Sequence, residues 1–180
     1  IELLSMNNTD QSKAIKKGEL DITFTRQNLQ SDEIESLFVL REPLIFILPK
    51  DHPLAKYERI PVKALNGIDF IIPAIEQSQT LHNLILDFAK SHNIELNIVQ
   101  KADNILFNIN SIGMGLGCTI LPGYIAPLTM HNTVIRPLDV ELPHLDLYVS
   151  YRKNSTSVAV TKFIELLTRV FYLGFNRETE

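Results

Sequence analysis

The sequence predicts an α/β fold in which strands and helices alternate. Short apolar or alternating runs that are typical of strands are separated by segments whose apolar residues recur every three to four positions, as in helices. Strands joined by helices usually pair in parallel, so we expect largely parallel sheets. A chain of 180 residues buries roughly 70% of its unfolded surface, which is enough for one domain or two small lobes.

The N-terminal part of the chain predicts a strand, a short helix and a second strand. Ile1 to Met6 has the apolar content of a strand, and the polar residues 7–10 supply turn and helix-capping side chains. Gln11 to Lys17 predicts a short helix that ends at Gly18, because glycine tolerates the positive φ of a helix C-terminus. Leu20 to Phe24 alternates apolar and polar residues, as a half-buried strand does.

The central part of the chain predicts four strands and two helices. Apolar stripes at helical spacing predict the helices. The first two strands are almost entirely apolar, which is typical of strands covered on both faces. The predicted strands are Leu37–Leu40, Leu44–Leu48, Ile68–Pro73 and Asn97–Gln100. The helices are Leu81–Lys90, with Leu81, Leu84, Ile85 and Phe88 on one face, and a second carrying Ile105, Ile109 and Ile112.

The C-terminal part predicts strands at Cys118–Leu121, Thr133–Leu138 and Leu145–Tyr151, and a packed helix at Val158–Phe171. The preceding segment, Gly113-Met114-Gly115-Leu116-Gly117, lacks the spacing of a dinucleotide fingerprint and the lysine and hydroxyl of a phosphate-binding loop. We interpret this segment as a helix exit with close packing.

Composition and charge exclude several classes of function. The 17 Lys and Arg against 21 Asp and Glu give a net charge of −4 without a basic cluster, so we expect no DNA binding by this chain alone. The chain has no signal-peptide pattern and no apolar run of about 18 residues, which leads us to expect a cytoplasmic protein with no membrane contact. The single Cys118 favours a buried structural thiol over a nucleophile.

Catalytic and metal-binding motifs are also missing from the sequence. No serine lies in a nucleophile elbow, no Cys–His arrangement is indicated, and no histidine pair has the spacing of a helical metal site, although a site assembled in space stays an alternative. We therefore expect no enzymatic activity, no cofactor and no metal. The scattered histidines are His52, His82, His92, His131 and His144.

Three motifs occur in a fixed order along nearly the whole chain. They are Lys17–Ile22 (KGELDI), Glu42–Leu44 running into Leu48–Ala55 (LPKDHPLA), and Gly113–Gly117 running into Leu121-Pro122. Together they resemble the effector-binding domain of LysR-type transcriptional regulators. A narrower resemblance is to the LysR-type activators of phenylpropionate and cinnamate catabolism. It rests on Thr25-Arg26, Ser31–Ile34, Ala102–Leu106 and Pro122–Tyr124.

This resemblance implies two Rossmann-like lobes of the periplasmic-binding-protein-like type II kind, joined by two crossing strands. The first lobe would comprise residues 1–41 and 151–180, the second residues 42–150, and the ligand would bind in the cleft. In the family a winged helix-turn-helix and a linker helix precede this domain, and DNA is bound only through that part. We expect the first βα unit of the first lobe to be missing here, and with it one wall of the pocket and part of the dimer face.

The resemblance implies a small carboxylate effector, and candidate ligands for it lie in both predicted lobes. Asn8 is at the capped turn before the first helix, where its side chain and the helix amides meet an anion or simply cap the helix. Arg26, next to Thr25, can pair with a carboxylate in two parallel bonds, or it is an exposed arginine without a ligand. Both residues of this pair are predicted to bind the ligand.

Two helix starts in the second predicted lobe offer further ligands. Ser78, Gln79 and Thr80 begin one helix, and Asn104 begins another; helix N-termini favour carboxylates, and ordinary capping is the alternative. Four apolar side chains are candidates for the walls of the pocket, although such residues more often fill a core. These side chains are Phe24, Ile75, Phe107 and Ile125.

The sequence therefore favours a transcription-factor sensor domain for a small, aromatic, phenylpropanoid-like carboxylate, forming homo-oligomers (dimers or tetramers) in the full-length protein. A free-standing solute-binding protein with a similar clamp is the alternative, which a signal peptide in the full gene would support. An enzyme on the same scaffold is the third reading, which fold alone does not exclude.

Overall fold

The computed structural model describes residues 1–6, 8–129 and 131–175, with side chains for 1–6, 10–129 and 131–171. The chain divides into two compact units. Unit 1 comprises Ile1–Arg41 and Asp146–Glu180, and unit 2 comprises Glu42–Leu145. The second boundary therefore lies before residue 146, whereas the sequence analysis drew it after residue 150. The assignment of these units to the two lobes of the family stays a prediction.

Unit 1 combines two helices with one complete strand and parts of two others. Strand β1 (Ile22–Thr25) pairs antiparallel with β7 (His144–Arg152), with Ile22 opposite Tyr151 and Thr25 opposite Tyr148. Strand β7 is also hydrogen-bonded to β2 (Ile34–Pro49). The elements of unit 1 are α1 (Asn8–Lys17), β1 (Ile22–Thr25), the first part of β2 (Ile34–Pro49), most of β7 (His144–Arg152) and α4 (Val158–Phe175).

Helix α1 is joined to β1 by a tight turn and by side-chain hydrogen bonds. Gly18, with φ of 77°, ends the helix, as the sequence predicted. The Thr23 hydroxyl donates to Gln11 Oε1 at 2.8 Å, and Gln11 Nε2 donates to the Met6 carbonyl at 2.8 Å. Because Gln11 lies early in α1, these bonds hold the start of the helix beside β1.

The prediction of a strand at Ile1–Met6 is wrong. These residues have no regular secondary structure, and Ile1, Leu3 and Leu4 are exposed. A strand is stabilised by hydrogen bonds to a neighbouring strand, and residues 1–6 pair with none of the strands in the described part of the chain. Apolar composition alone therefore does not produce a strand here.

Unit 2 contains the larger hydrophobic core. The stripe predicted on its first helix is confirmed, because Leu81, Ile85 and Phe88 are buried and Leu84 packs partly buried against the same cluster. The elements of unit 2 are the second part of β2, β3 (Asp69–Pro73), α2 (Gln79–Ser91), β4 (Asn97–Ala102), α3 (Ile105–Gly113), β5 (Thr119–Pro122), β6 (Thr133–Ile135), and 3₁₀ helices at Pro53–Lys56, Val62–Leu65 and Gly123–Leu128.

The expectation of largely parallel sheets is wrong. Strands β3 and β4 are parallel, but β1 pairs antiparallel with β7, and β2 pairs antiparallel with both β5 and β6. The two predicted strands around Pro43 are one strand of 16 residues, β2. A helical crossover sets the direction of only the two strands that it joins. The partners of β2 in unit 2 lie far along the chain, so the local alternation of elements did not determine their direction.

The glycine-rich exit of α3 is closely packed, as the sequence predicted. A Cβ atom on Gly117 would lie 2.8 Å from the Asp69 carbonyl oxygen, closer than real Cβ contacts. Beside it, Cys118 N donates to the Asp69 carbonyl and Ile71 N donates to the Cys118 carbonyl, both at 2.8 Å. These bonds attach the start of β5 to β3.

Candidate functional site

Two helix N-termini of unit 2 lie at the same edge of a parallel pair of strands. Pro73, the last residue of β3, is opposite Ala102, the last residue of β4, and Ala74 N donates to the Ala102 carbonyl at 2.7 Å. Helix α2 follows β3 and helix α3 follows β4. In open α/β sheets, ligands bind beyond the carboxyl ends of the strands. We call this end of unit 2 the carboxyl edge.

The start of α2 provides capping and backbone donors at the carboxyl edge. Ser78 is the N-cap, and its hydroxyl oxygen accepts from Leu81 N at 3.4 Å. Gln79 is exposed and Thr80 is half-buried. The first amides of a helix have no acceptor within it, and the helix dipole makes this end positive. This arrangement favours a bound anion.

The start of α3 is capped by Asn104, which is exposed. Its Oδ1 accepts from Phe107 N at 2.8 Å, and its Nδ2 donates to Asp103 Oδ1 at 3.0 Å. The capping function is thus observed, and a ligand contact stays a prediction. The Asp103 carboxylate adds a negative charge beside the cap, so this helix start attracts an anion less than that of α2.

Apolar surface accompanies these donors. Ile75, which follows β3, is 43% exposed, and Phe107, in the first turn of α3, is 46% exposed. Ile125 fills the core of unit 2 instead of a pocket wall, because its side chain is 0% exposed and belongs to the core cluster. In unit 1, Phe24 is 42% exposed and contacts Phe163 edge to face.

Tyr124 is an aromatic residue at the carboxyl edge that was not among the residues predicted from sequence to bind the effector. It follows β5, which an isolated bridge between Phe70 and Cys118 shows to run parallel to β3. Its side chain is 52% exposed, and its backbone N donates to Glu42 Oε1 at 2.8 Å. Its place just after the end of a strand at this edge was the signal that could have identified it.

The remaining residues predicted to bind the effector belong to unit 1. Thr25 is buried, and its hydroxyl donates to the Gln27 carbonyl at 2.6 Å, so it holds the turn after β1. Arg26 is half-buried at the start of that turn. Helix α1 begins at Asn8, whose side chain lies outside the described residues. The bond between Gln11 and Thr23 ties the start of α1 to β1, the strand that Arg26 follows.

A surface depression of about 310 Å³ in unit 2 is lined by residues that the sequence analysis did not predict. Arg136 lies in its wall, where its Nε donates a hydrogen bond to the Ala55 carbonyl and its Nη1 donates to the Ile135 carbonyl, both at 3.1 Å. This guanidinium therefore ties two backbone segments together. The lining residues are Lys56, Tyr57, Glu58, Arg136 and Pro137.

Two features of the described residues bear on metal binding and on nucleophilic chemistry. Within them, no three His, Cys, Asp or Glu side chains come together as metal ligands would. Cys118 is fully buried, and burial raises the pKa of its thiol to about 12, with a smaller contribution from the charge of Asp69. Such a thiol is not a nucleophile at neutral pH. No helix in the described part of the chain is long and apolar enough to cross a membrane.

The chain is similar to several transcriptional regulators. The family model of the LysR substrate binding domain matches residues 1–171. The Hca operon transcriptional activator HcaR of Escherichia coli K12 is 36% identical over 167 residues, covering 93% of this chain and 56% of that protein. The regulator AlsR of Bacillus subtilis 168 is 26% identical over 166 residues, covering 92% and 55%. The chain thus spans about half the length of the curated relatives it matches.

Solved structures share the fold. The BenM effector-binding domain with its effector benzoate has a TM-score of 0.82 at 18% identity, covering 97% of this chain and 80% of that chain. The QuiR effector-binding domain with shikimate has a TM-score of 0.80 at 20% identity, covering 93% and 79%. These likenesses confirm the expected type II periplasmic-binding-protein-like α/β fold. Because the family model matches nearly all of its length, this chain belongs to the LysR substrate-binding domain family.

Proposed function

We propose that this chain is the effector-sensing part of a LysR-type transcriptional regulator and that its effector is a small aromatic carboxylate. The family membership supports the sensing function. The observation that carries the proposal for a carboxylate is the pair of helix N-termini at the carboxyl edge of unit 2, capped by Ser78 and Asn104. Benzoate and shikimate, which accompany two structural neighbours, are both carboxylates.

The residues proposed to bind the effector supply both polar and apolar contacts. Backbone amides at the start of α2, with Gln79 and Thr80, would donate to one end of the effector. Arg26 would add a planar guanidinium that pairs with a carboxylate through two parallel bonds, a geometry that lysine lacks. Exposed Phe107 and Tyr124 offer flat surfaces for an aromatic ring. Asn8 and Thr25 complete the proposed set.

The regulatory mechanism requires a difference in affinity between two conformations of the protein. A ligand shifts an equilibrium only when it binds one conformation more tightly than the other. DNA binding would involve the half of the full-length relatives that this chain does not match. The proposal therefore assigns to this chain the reception of the signal and to the rest of a full-length regulator its delivery to DNA.

Thermal denaturation with added 3-phenylpropionate or cinnamate tests the proposal. These acids follow from the narrower sequence resemblance at Thr25-Arg26 and the neighbouring motifs. We expect them to raise Tm, and we expect Arg26→Ala to abolish most of that rise. Arg169→Ala is the matched control, because Arg169 is exposed on α4, outside the proposed site, and the rise should persist. If no aromatic acid raises Tm of the full-length gene product, the assignment of the effector class is wrong.

A further inference from the structure

Asn108 is a buried polar residue without a hydrogen-bond partner for its carbonyl oxygen. It lies on α3, one helical turn after the cap Asn104, and its side chain is 1% exposed. Its Oδ1 atom is buried and contacts no donor among the described residues. Burying an unpaired amide is costly, so such groups in native proteins usually have a specific reason.

Several other buried polar side chains of unit 2 are paired. The Ser111 hydroxyl donates to the Phe107 carbonyl at 2.9 Å and accepts from Gln100 Nε2 at 3.1 Å. The Thr119 hydroxyl donates to the Ile71 carbonyl at 2.7 Å. Among the described residues, a second buried oxygen without a partner is Asn132 Oδ1, but the Asn132 amide is held by a bond from Nδ2 to the Gly113 carbonyl.

Asn108 lies near the end of α3 that begins at the carboxyl edge. Side chains on an α-helix lean toward its N-terminus and lie over the residues three and four positions earlier. Asn108 is four residues after the cap Asn104, about 6 Å away along the helix axis. The unpaired oxygen thus belongs to a residue one turn from a proposed effector-binding residue.

We infer that Asn108 determines specificity by hydrogen-bonding a hydroxyl group on the effector. This inference rests on the proposed function and refines its effector to a hydroxylated aromatic acid. A carboxamide offers a donor and an acceptor, and a hydroxyl group can pair with either. A carboxylate only accepts hydrogen bonds, so it would leave Oδ1 unpaired. A site that hydrogen-bonds a ligand hydroxyl also discriminates strongly against the analogue that lacks it.

Isothermal titration of the full-length protein compares 3-phenylpropionate with its 3-hydroxyphenyl and 4-hydroxyphenyl analogues. For Asn108→Leu we expect affinity for at least one hydroxylated acid to fall by at least about tenfold, and affinity for the unsubstituted acid to change by less than about twofold. Asn108→Ala repeats the comparison with a smaller side chain, in case leucine disturbs packing.

Stability supplies the second readout. Replacing an unpaired buried amide with an apolar group should leave Tm of the unliganded protein unchanged or raise it, whereas Ser111→Ala, which removes a paired hydroxyl, should lower it. If Asn108→Leu binds all three acids like the wild type, or lowers Tm as Ser111→Ala does, the inference is wrong while the proposed function stands. If the wild type binds none of these acids or other aromatic acids, both fail.

Discussion

Helix α2 carries one side of the proposed site, and the substitution Ile85→Ala tests how firmly it is packed. Ile85 is 0% exposed and belongs to the core cluster of unit 2. The substitution removes three carbon atoms, each worth about 0.8 kcal/mol when buried, or about 2.4 kcal/mol together. The cavity left behind adds to this loss, so we expect the free energy of unfolding to fall by about 3–4 kcal/mol.

Urea denaturation followed by circular dichroism measures this loss. The matched control is Leu86→Ala on the same helix, because Leu86 is 39% exposed and its truncation should cost less than about 1 kcal/mol. The slope of the free energy against urea concentration should stay unchanged if the unfolded state is unaffected. If Ile85→Ala costs no more than Leu86→Ala, α2 does not pack on the core in the way described, and its N-terminus is not held at the carboxyl edge.

Two further predictions concern Thr119, the first residue of β5, and Cys118, which precedes it. Thr119→Val removes the buried hydrogen bond to the Ile71 carbonyl, so the free energy of unfolding measured in urea should fall by about 1–2 kcal/mol. The control Thr161→Val, on the exposed face of α4, should lower it much less. Equal losses for the two variants would contradict the pairing of β3 with β5. Cys118, with its pKa raised by burial from 9.0 to about 12, should resist iodoacetamide at pH 8 in the folded protein and react once urea unfolds it. Between pH 9.0 and about 12 the Cys118 thiol keeps its proton in the folded state and loses it in the unfolded state. The contribution of this thiol to stability is therefore complete below pH 9.0 and is lost as pH rises toward 12. Rapid labelling of the native protein would contradict the burial.

The fold was predictable wherever local pattern decides the structure. The apolar stripe of α2, the cap Ser78 and the terminal Gly18 depend on residues within a few positions of one another, and the structure has each of them. The same holds for the ordered motifs that pointed to the LysR family. The two helix starts of the candidate site were predictable, because a helix start after a strand marks the carboxyl edge whatever the rest of the chain does.

The features that sequence did not reveal depend on partners distant along the chain. The direction of β2 is set by β5 and β6, and residues 1–6 form no strand because no described strand pairs with them. A helical pattern gives Asn108 a face of α3, but only the surrounding elements decide that its carbonyl oxygen is buried without a partner among the described residues. The sequence by itself thus determined the family, most of the helices and strands, and the helix starts. Tertiary structure decided pairing direction and burial, because both depend on hydrogen bonds and contacts between segments whose order along the chain carries no record of their proximity.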